Sequence, residues 1–247
     1  MKLVLAEPRL LKESVNIISE LVNEVTFKVS SDKIELLAMD PASVAMVDFK
    51  MLAPAFVEYD VPKPCSLSVS LEGLKSILKR AKPTDAIQLS LDEDRNRLNV
   101  DIIGDAKRLF TLSLLNIDEN EVNIPKLSYS AKVQVPSAKL EEAIEDMNVI
   151  AESVALVAEQ GKFTVKSESN LSDAKVDLFS SEIVMELTED KAVSKYSIEY
   201  LKKMVSGCKL ADTTTLNFGN DYPLRMEFLV LDKLKLGFIL APRVNND

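Results

Sequence analysis

There is no histidine anywhere in the 247 residues. That single absence removes Ser-His-Asp and Cys-His nucleophilic schemes, imidazole zinc sites and the side chain that most often moves protons near neutral pH. Glycine is scarce at six residues, and neither GxxxxGK followed by Ser or Thr nor GxGxxG occurs, so no phosphate-cradling loop is expected. Cysteine is limited to Cys65 and Cys208, far apart and outside any CxxC. Two isolated thiols suit a reducing compartment and read as small core residues rather than ligands. No apolar run reaches the ~18–20 residues of a membrane span. The opening MKLVLAEPRLLKES carries no signal-peptide pattern. Carboxylates are plentiful, but they lie in helical or loop runs where solvation explains them. An all-carboxylate magnesium site is the one hydrolase chemistry left open. The expectation is a protein that is not an enzyme, with no catalytic residue, metal or cofactor, and no place in a membrane.

What is present is the composition of a globular protein, 47% hydrophobic and 28% charged. The length suits one large domain or two of ordinary size. Lys and Arg number 30 against 39 Asp and Glu, a formal charge of −9.

The chain repeats itself. SLEGLKSILKRAKPTDAIQL, from Ser70, aligns with SIEYLKKMVSGCKLADTTTL, from Ser197, without a gap at an offset of 127. Leu71, Glu72, Leu74, Lys75, Ile77, Leu78, Lys82 and Asp85 meet Ile198, Glu199, Leu201, Lys202, Met204, Val205, Lys209 and Asp212. Earlier in each half, at an offset of 129, Leu11, Val15, Ile18, Val25 and Lys33 meet Leu140, Ile144, Met147, Val154 and Lys162. Two matches at nearly one offset indicate duplicated domains. Each half reads as a strand, a helix, several strands, a second helix and more strands, with the short alternating runs of antiparallel sheets. The class is α+β with sheet dominant. The domains are expected at 1–116 and 131–247. Between them 117–130, with Asp118, Glu119, Glu121 and Pro125, reads as an exposed connector.

Charge is distributed unevenly over the helices. The window Leu71–Lys82 holds four basic residues against one acidic, and Ile198–Lys209 holds three against one. Arg9–Val22 is balanced, whereas Ser137–Asn148 holds four acidic residues against one basic. One basic helix face is ordinarily a solvated surface, but two repeat-related faces of the same sign fit a partner with regular negative charge, such as duplex phosphates.

AMDPASVAMVDF (38–49), the LKSILKRAK helix and LGFILAPRV (236–244) resemble, in this order and spacing, the sliding clamps of the proliferating cell nuclear antigen (PCNA) family, archaeal members especially. The resemblance runs over essentially the whole chain. It implies two domains of the DNA-clamp fold per subunit, each with two helices packed on antiparallel sheets, and three subunits closed into a ring around duplex DNA. It implies a DNA polymerase processivity factor that recruits replication and repair proteins: polymerase, clamp loader, flap nuclease and DNA ligase, through a short hydrophobic peptide. A cytoplasmic, nucleoid-associated protein follows from the archaeal likeness. The alternative is one subunit of a heterotrimeric clamp that mainly scaffolds other proteins.

Non-specific DNA contact is expected from Arg9, Lys12, Lys75, Lys79, Lys202 and Lys203. The resemblance implies a peptide pocket walled by Met39, Ser43, Val44, Met46, Ile124, Pro125, Pro223, Ile239, Ala241, Pro242 and Arg243. The acidic third helix departs from the basic channel expected of such a clamp. A subunit contact accounts for it: Arg80, Lys82 and Arg108 facing Glu142 and Asp146 of the next subunit, with Phe110 and Leu112 against Val176 and Leu178 supplying most of the hold. Ser206 and Gly207 stand where Lys79 and Arg80 do in the first copy. A patch for DNA alone has no reason to lose two charges in one copy, whereas a patch that also joins subunits does.

Overall fold

The computed structural model describes residues 1–117 and 122–243. Asp118, Glu119 and Glu121 of the connector, and Val244 of the C-terminal motif, lie outside the described residues. The chain divides into two compact units. The first is Met1–Pro41 with Val47–Asn123 and Val230–Leu236; the second is Ala42–Met46 with Ile124–Leu229 and Gly237–Asp247. Each unit therefore includes a short piece of chain from the other half of the sequence.

The first half forms β1 (Lys2–Leu5), α1 (Arg9–Ile18), β2 (Glu24–Val29), β3 (Lys33–Met39), β4 (Ala45–Leu52), β5 (Glu58–Asp60), β6 (Cys65–Ser70), α2 (Leu71–Leu78), β7 (Ala86–Asp92), β8 (Arg97–Ile103) and β9 (Lys107–Ser113). Its strands run in the orders β5-β1-β7-β8-β9 and β4-β3-β2-β6. Alternation sets the inner face: along β8, Leu98, Val100 and Ile102 are buried while their neighbours are not. Register follows, with Val100 opposite Leu89 on β7 and Phe110 on β9. In α1 the apolar stripe of Leu11, Val15, Ile17 and Ile18 is buried at helical spacing.

The second half forms β10 (Ala131–Pro136), α3 (Ser137–Asn148), β11 (Ser153–Glu159), β12 (Lys162–Glu168), β13 (Asp173–Phe179), β14 (Val184–Leu187), β15 (Lys191–Ser197), α4 (Ile198–Val205), β16 (Thr213–Phe218), β17 (Leu224–Val230) and β18 (Leu234–Leu240). Here the orders are β14-β10-β16-β17-β18 and β13-β12-β11-β15. Adding nine to every strand number of the first half reproduces them. The repeat seen in the sequence is thus a repeat of topology. Aromatic pairs fill this core, Phe163 against Phe218 and Phe228 against Phe238, each with ring centroids 6.3 Å apart.

The sequence places helix windows longer than the helices that form. α2 ends at Leu78: Lys79 N–H still reaches Lys75 O, but Arg80 and Ala81 N–H tighten onto Ile77 O and Leu78 O. Pro83 follows two residues later, where a helix cannot readily continue. Lys79 therefore caps the helix, and Arg80 and Lys82 belong to the turn beyond it. In the same way α4 ends at Val205 and tightens into a 3-10 turn, Ser206–Lys209. Cys208 sits in that turn, where burial pushes its thiol up to about 11. Among the described residues no helix is long and apolar enough to cross a membrane.

Candidate functional site

In the first unit, two lysines of the basic set tie α1 and α2 together. Lys75 Nζ donates to Ser19 Oγ and to Glu20 Oε1, both at 2.9 Å, and its side chain is only 21% exposed. Lys12 Nζ donates to the carbonyl of Ala81 at 3.1 Å. Arg9 and Lys79 are exposed. No ion pair or hydrogen bond of the Lys79 ammonium is seen among the described residues. The helical wheel finds Lys75 on the shoulder of the face but not its partner, because Glu20 lies 55 residues away in sequence.

In the second unit, Lys202 is exposed on α4. Its neighbour Lys203 pairs with Glu199 one turn earlier at 2.9 Å and lies 5.4 Å from the Tyr200 ring centroid. That hydrogen bond and charge hold the Glu199 carboxyl below its ordinary range. Glu142, Glu145 and Asp146 are exposed on α3, and Glu141 is half-buried.

Of the residues named for a subunit contact, Arg108, Phe110, Leu112, Val176 and Leu178 lie on two strands that end their sheets. Among the described residues β9 pairs only with β8, and β13 only with β12. Phe110, Leu112 and Val176 are partly exposed, and Leu178 is buried. Leu112 packs on α2 at Gly73, where a β-carbon would come within 2.9 Å of Leu112 Cδ1. Arg80 is exposed. Lys82 reaches Asp105 at 3.1 Å on an open surface. Arg108 is engaged within its own unit, donating to Asp85 Oδ2 at 2.6 Å and to the Arg80 carbonyl at 2.8 Å. The sequence pattern gives Asp85 no role, yet its side chain is 3% exposed and also accepts the Lys82 backbone N–H at 2.9 Å.

Of the residues named for a peptide pocket, all but Met39 belong to the second unit. Met39, at the end of β3 in the first unit, is 39% exposed. Met46 and Ile239 are core residues. Ser43, Pro125, Ala241 and Arg243 are exposed, while Val44, Ile124, Pro223 and Pro242 are half-buried. Ser43 has φ 58°, the left-handed region, so the chain bends sharply before Val44. Ala241 N–H donates to Val44 O at 3.0 Å, joining the loop before β4 to the C-terminal segment. The turn carrying Pro223 is pinned by its neighbour: Tyr196 Oη and Ser194 Oγ donate to Tyr222 O at 2.7 and 3.2 Å. Ser128 N–H donates to Tyr222 Oη at 3.3 Å, and Tyr129 stands edge-on to that ring, so the end of the connector is held there. Burial pushes the Tyr129 hydroxyl up to about 12.

Residues 1–122 match the family model described as proliferating cell nuclear antigen, N-terminal domain, and residues 123–243 match the C-terminal domain. The chain belongs to the PCNA family. Among PCNA relatives, it is 35% identical to the "DNA polymerase sliding clamp" of Pyrococcus furiosus, over 92% of this chain and 91% of that one. It is also 35% identical to the protein of the same description from Nanoarchaeum equitans, over 98% and 99% of the two chains. A crystal structure of PCNA from Thermococcus kodakaraensis superposes with a TM-score of 0.93 at 27% identity, covering 98% and 99% of the chains.

The PCNA likeness shows the two-domain fold expected from the sequence. One inference drawn from the repeat is corrected by the structure. Gly207 stands where Arg80 does because a β-carbon there would come 2.4 Å from the Phe228 ring. Packing disfavours a side chain at that position, so the charge missing at Gly207 is accounted for without a subunit contact, and this does not extend to Ser206.

Proposed function

We propose that the chain is a sliding clamp that closes as a trimer around duplex DNA, serves as a DNA polymerase processivity factor and recruits replication and repair proteins. The observation that carries this reading is the likeness, over the whole chain, to archaeal proteins described as DNA polymerase sliding clamps. The duplicated topology supports it, since each half ends a sheet in a strand with one open side, β9 and β13. Joining β9 of one subunit to β13 of the next extends both ladders and covers Phe110, Leu112 and Val176, while Leu178, already buried, backs the joint from inside.

The charge contact across that joint falls first to Arg80 and Lys82 against Glu142 and Asp146, because Arg108 is already bound to Asp85. Such exposed pairs contribute ~0–1 kcal/mol each and set register more than strength. On the DNA side, Lys79 and Lys202 have ammonium groups without a partner among the described residues to offer phosphates, and Arg9, Lys12, Lys75 and Lys203 complete the set. Contact with phosphates rather than bases suits a ring that slides.

Ser43, Val44, Met46, Ile124, Pro125, Pro223, Ile239, Ala241 and Pro242 receive the hydrophobic peptide of a polymerase, clamp loader, flap nuclease or ligase. Residues 117–130 act as the connector between domains 1–116 and 131–247. The chain has no catalytic role of its own and works in the cytoplasm, on the nucleoid.

The test is the mass of the chain expressed alone, followed by primer extension on a circular template. A species near three times 27.4 kDa and longer products with the cognate polymerase are expected. A monomer that gives no gain in product length sinks the proposal. A monomer that forms rings only with sister chains replaces it with the heterotrimeric scaffold.

A further inference from the structure

We propose that Glu152 and Arg243 form an anchor that positions the C-terminal segment as one wall of the partner-peptide pocket, so that Arg243 acts by holding the segment and not by touching the peptide. This rests on the reading of the pocket given above.

Few groups hold the segment. Pro242 has no N–H to offer. The N–H groups on either side of it are both used, Ala241 toward Val44 O at 3.0 Å and Arg243 toward Lys195 O at 2.7 Å. The Arg243 side chain turns back onto the junction between α3 and β11. There Nη1 donates to the Glu152 carbonyl at 3.2 Å, and Nη2 lies 3.6 Å from Glu152 Oε2. The same carbonyl accepts Ile198 N–H, at the first residue of α4, at 3.0 Å. One backbone oxygen thus fixes both the start of α4 and the end of the C-terminal segment. A guanidinium can reach a carbonyl and a carboxylate together through its planar fork, whereas an ammonium is a point donor. Glu152 is 91% exposed at its side chain, so its carboxylate adds a salt-sensitive part to an anchor based mainly on the carbonyl.

A segment held at Ala241 and Arg243 presents the intervening residues in one conformation. That lowers the ordering cost when a peptide docks against Ala241 and Pro242. The sequence does not single out Glu152, since an exposed acidic residue in a turn carries no local signal.

The experiment measures binding of a fluorescein-labelled peptide carrying the family's hydrophobic partner motif to the intact protein, with amide hydrogen exchange and thermal unfolding on the same samples. Arg243→Ala is expected to weaken binding about tenfold, the scale of one missing charge-assisted hydrogen bond. Faster exchange at Ala241 and Arg243 should accompany it, with Tm unchanged. Arg243→Lys should fall between, and Glu152→Gln should weaken binding about two- to threefold and flatten its salt dependence. If the wild-type chain binds and Arg243→Ala binds equally, with unchanged exchange, the anchor is refuted while the pocket stands. Weaker binding with unchanged exchange makes Arg243 a direct peptide contact and also refutes the anchor. No binding by the wild-type chain overturns pocket and anchor together.

Discussion

The guanidinium of Arg108 donates to the Asp85 carboxylate across 2.6 Å, and its other terminal nitrogen donates to the Arg80 carbonyl at 2.8 Å. Asp85 is 3% exposed and Arg108 32% exposed. The pair joins the turn after α2 to the edge strand β9. Removing the arginine leaves a buried carboxylate with the Lys82 N–H, which is costly because the charge remains desolvated. Arg108→Ala should therefore destabilise the isolated subunit by about 2 kcal/mol, read by urea unfolding at concentrations where sedimentation shows single chains. Lys82→Ala should cost under about 0.5 kcal/mol in the same assay, because its pair with Asp105 is exposed. Equal, small effects would assign Arg108 to the subunit contact alone.

Gly207 lies against Phe228 with no room for a β-carbon, the nearest ring atom standing at 2.4 Å. Gly207→Ala should destabilise by about 1–3 kcal/mol, the usual range for overpacking a filled core. The larger residue must displace Phe228, which itself packs on Phe238. Arg80→Ala, at the matching position of the first half, should be nearly neutral in the subunit because that side chain is exposed. Thermal unfolding of the two variants side by side checks the contrast; equal Tm values would remove the packing explanation.

The repeat was legible because burial imposes a pattern that survives in each copy. Leu71, Leu74 and Leu78 are buried, as are Ile198, Leu201 and Val205. Helix ends were less legible. Amphipathic spacing continues through Ala81, which is buried, although the backbone has already left the α-helix. β5 gives no such signal: three residues between Phe56 and a Pro-Lys-Pro run are too short a pattern to count. The partners of Lys75, Arg108 and Arg243 lie 55, 23 and 91 residues away. No local rule joins such pairs, so the sequence reads Lys75 as available to DNA and Arg108 to a neighbouring subunit, while the resemblance gives Arg243 as a pocket wall. The resemblance supplied pocket residues, but not that Met46 and Ile239 are core or that Arg243 turns toward Glu152.

Ser14 is fully buried on the inner face of α1, and its hydroxyl finds no partner among the described residues. The repeat places Ala143 at the matching position of α3, also buried. Ser14→Ala should stabilise by about 1 kcal/mol, from relief of an unsatisfied hydroxyl and from alanine's better helix propensity. Denaturant unfolding with an unchanged m-value would register it as a higher midpoint. A loss of stability would mean that the hydroxyl has a partner, such as an internal water, that the substitution removes.

Lys75 is held by Glu20 and Ser19 at 2.9 Å, whereas Lys202 stands exposed on α4. For the proposed DNA-facing surface this difference has a direction. Lys202→Ala should weaken duplex binding and flatten the dependence of log K on log salt by about 0.9 for each phosphate left without its cation. Lys75→Ala should do less, because its ammonium is held by Ser19 and Glu20 and largely shielded, so it has less phosphate contact to lose. Glu20→Gln should act in the opposite sense. It frees the Lys75 ammonium and deletes a negative charge, tightening binding about two- to threefold at low salt, with the gain fading as salt screens it. Anisotropy titrations of a labelled duplex across a salt series separate the cases. If Lys75→Ala and Lys202→Ala prove equal and Glu20→Gln changes nothing, the Glu20 pair does not govern the charge this surface offers to DNA.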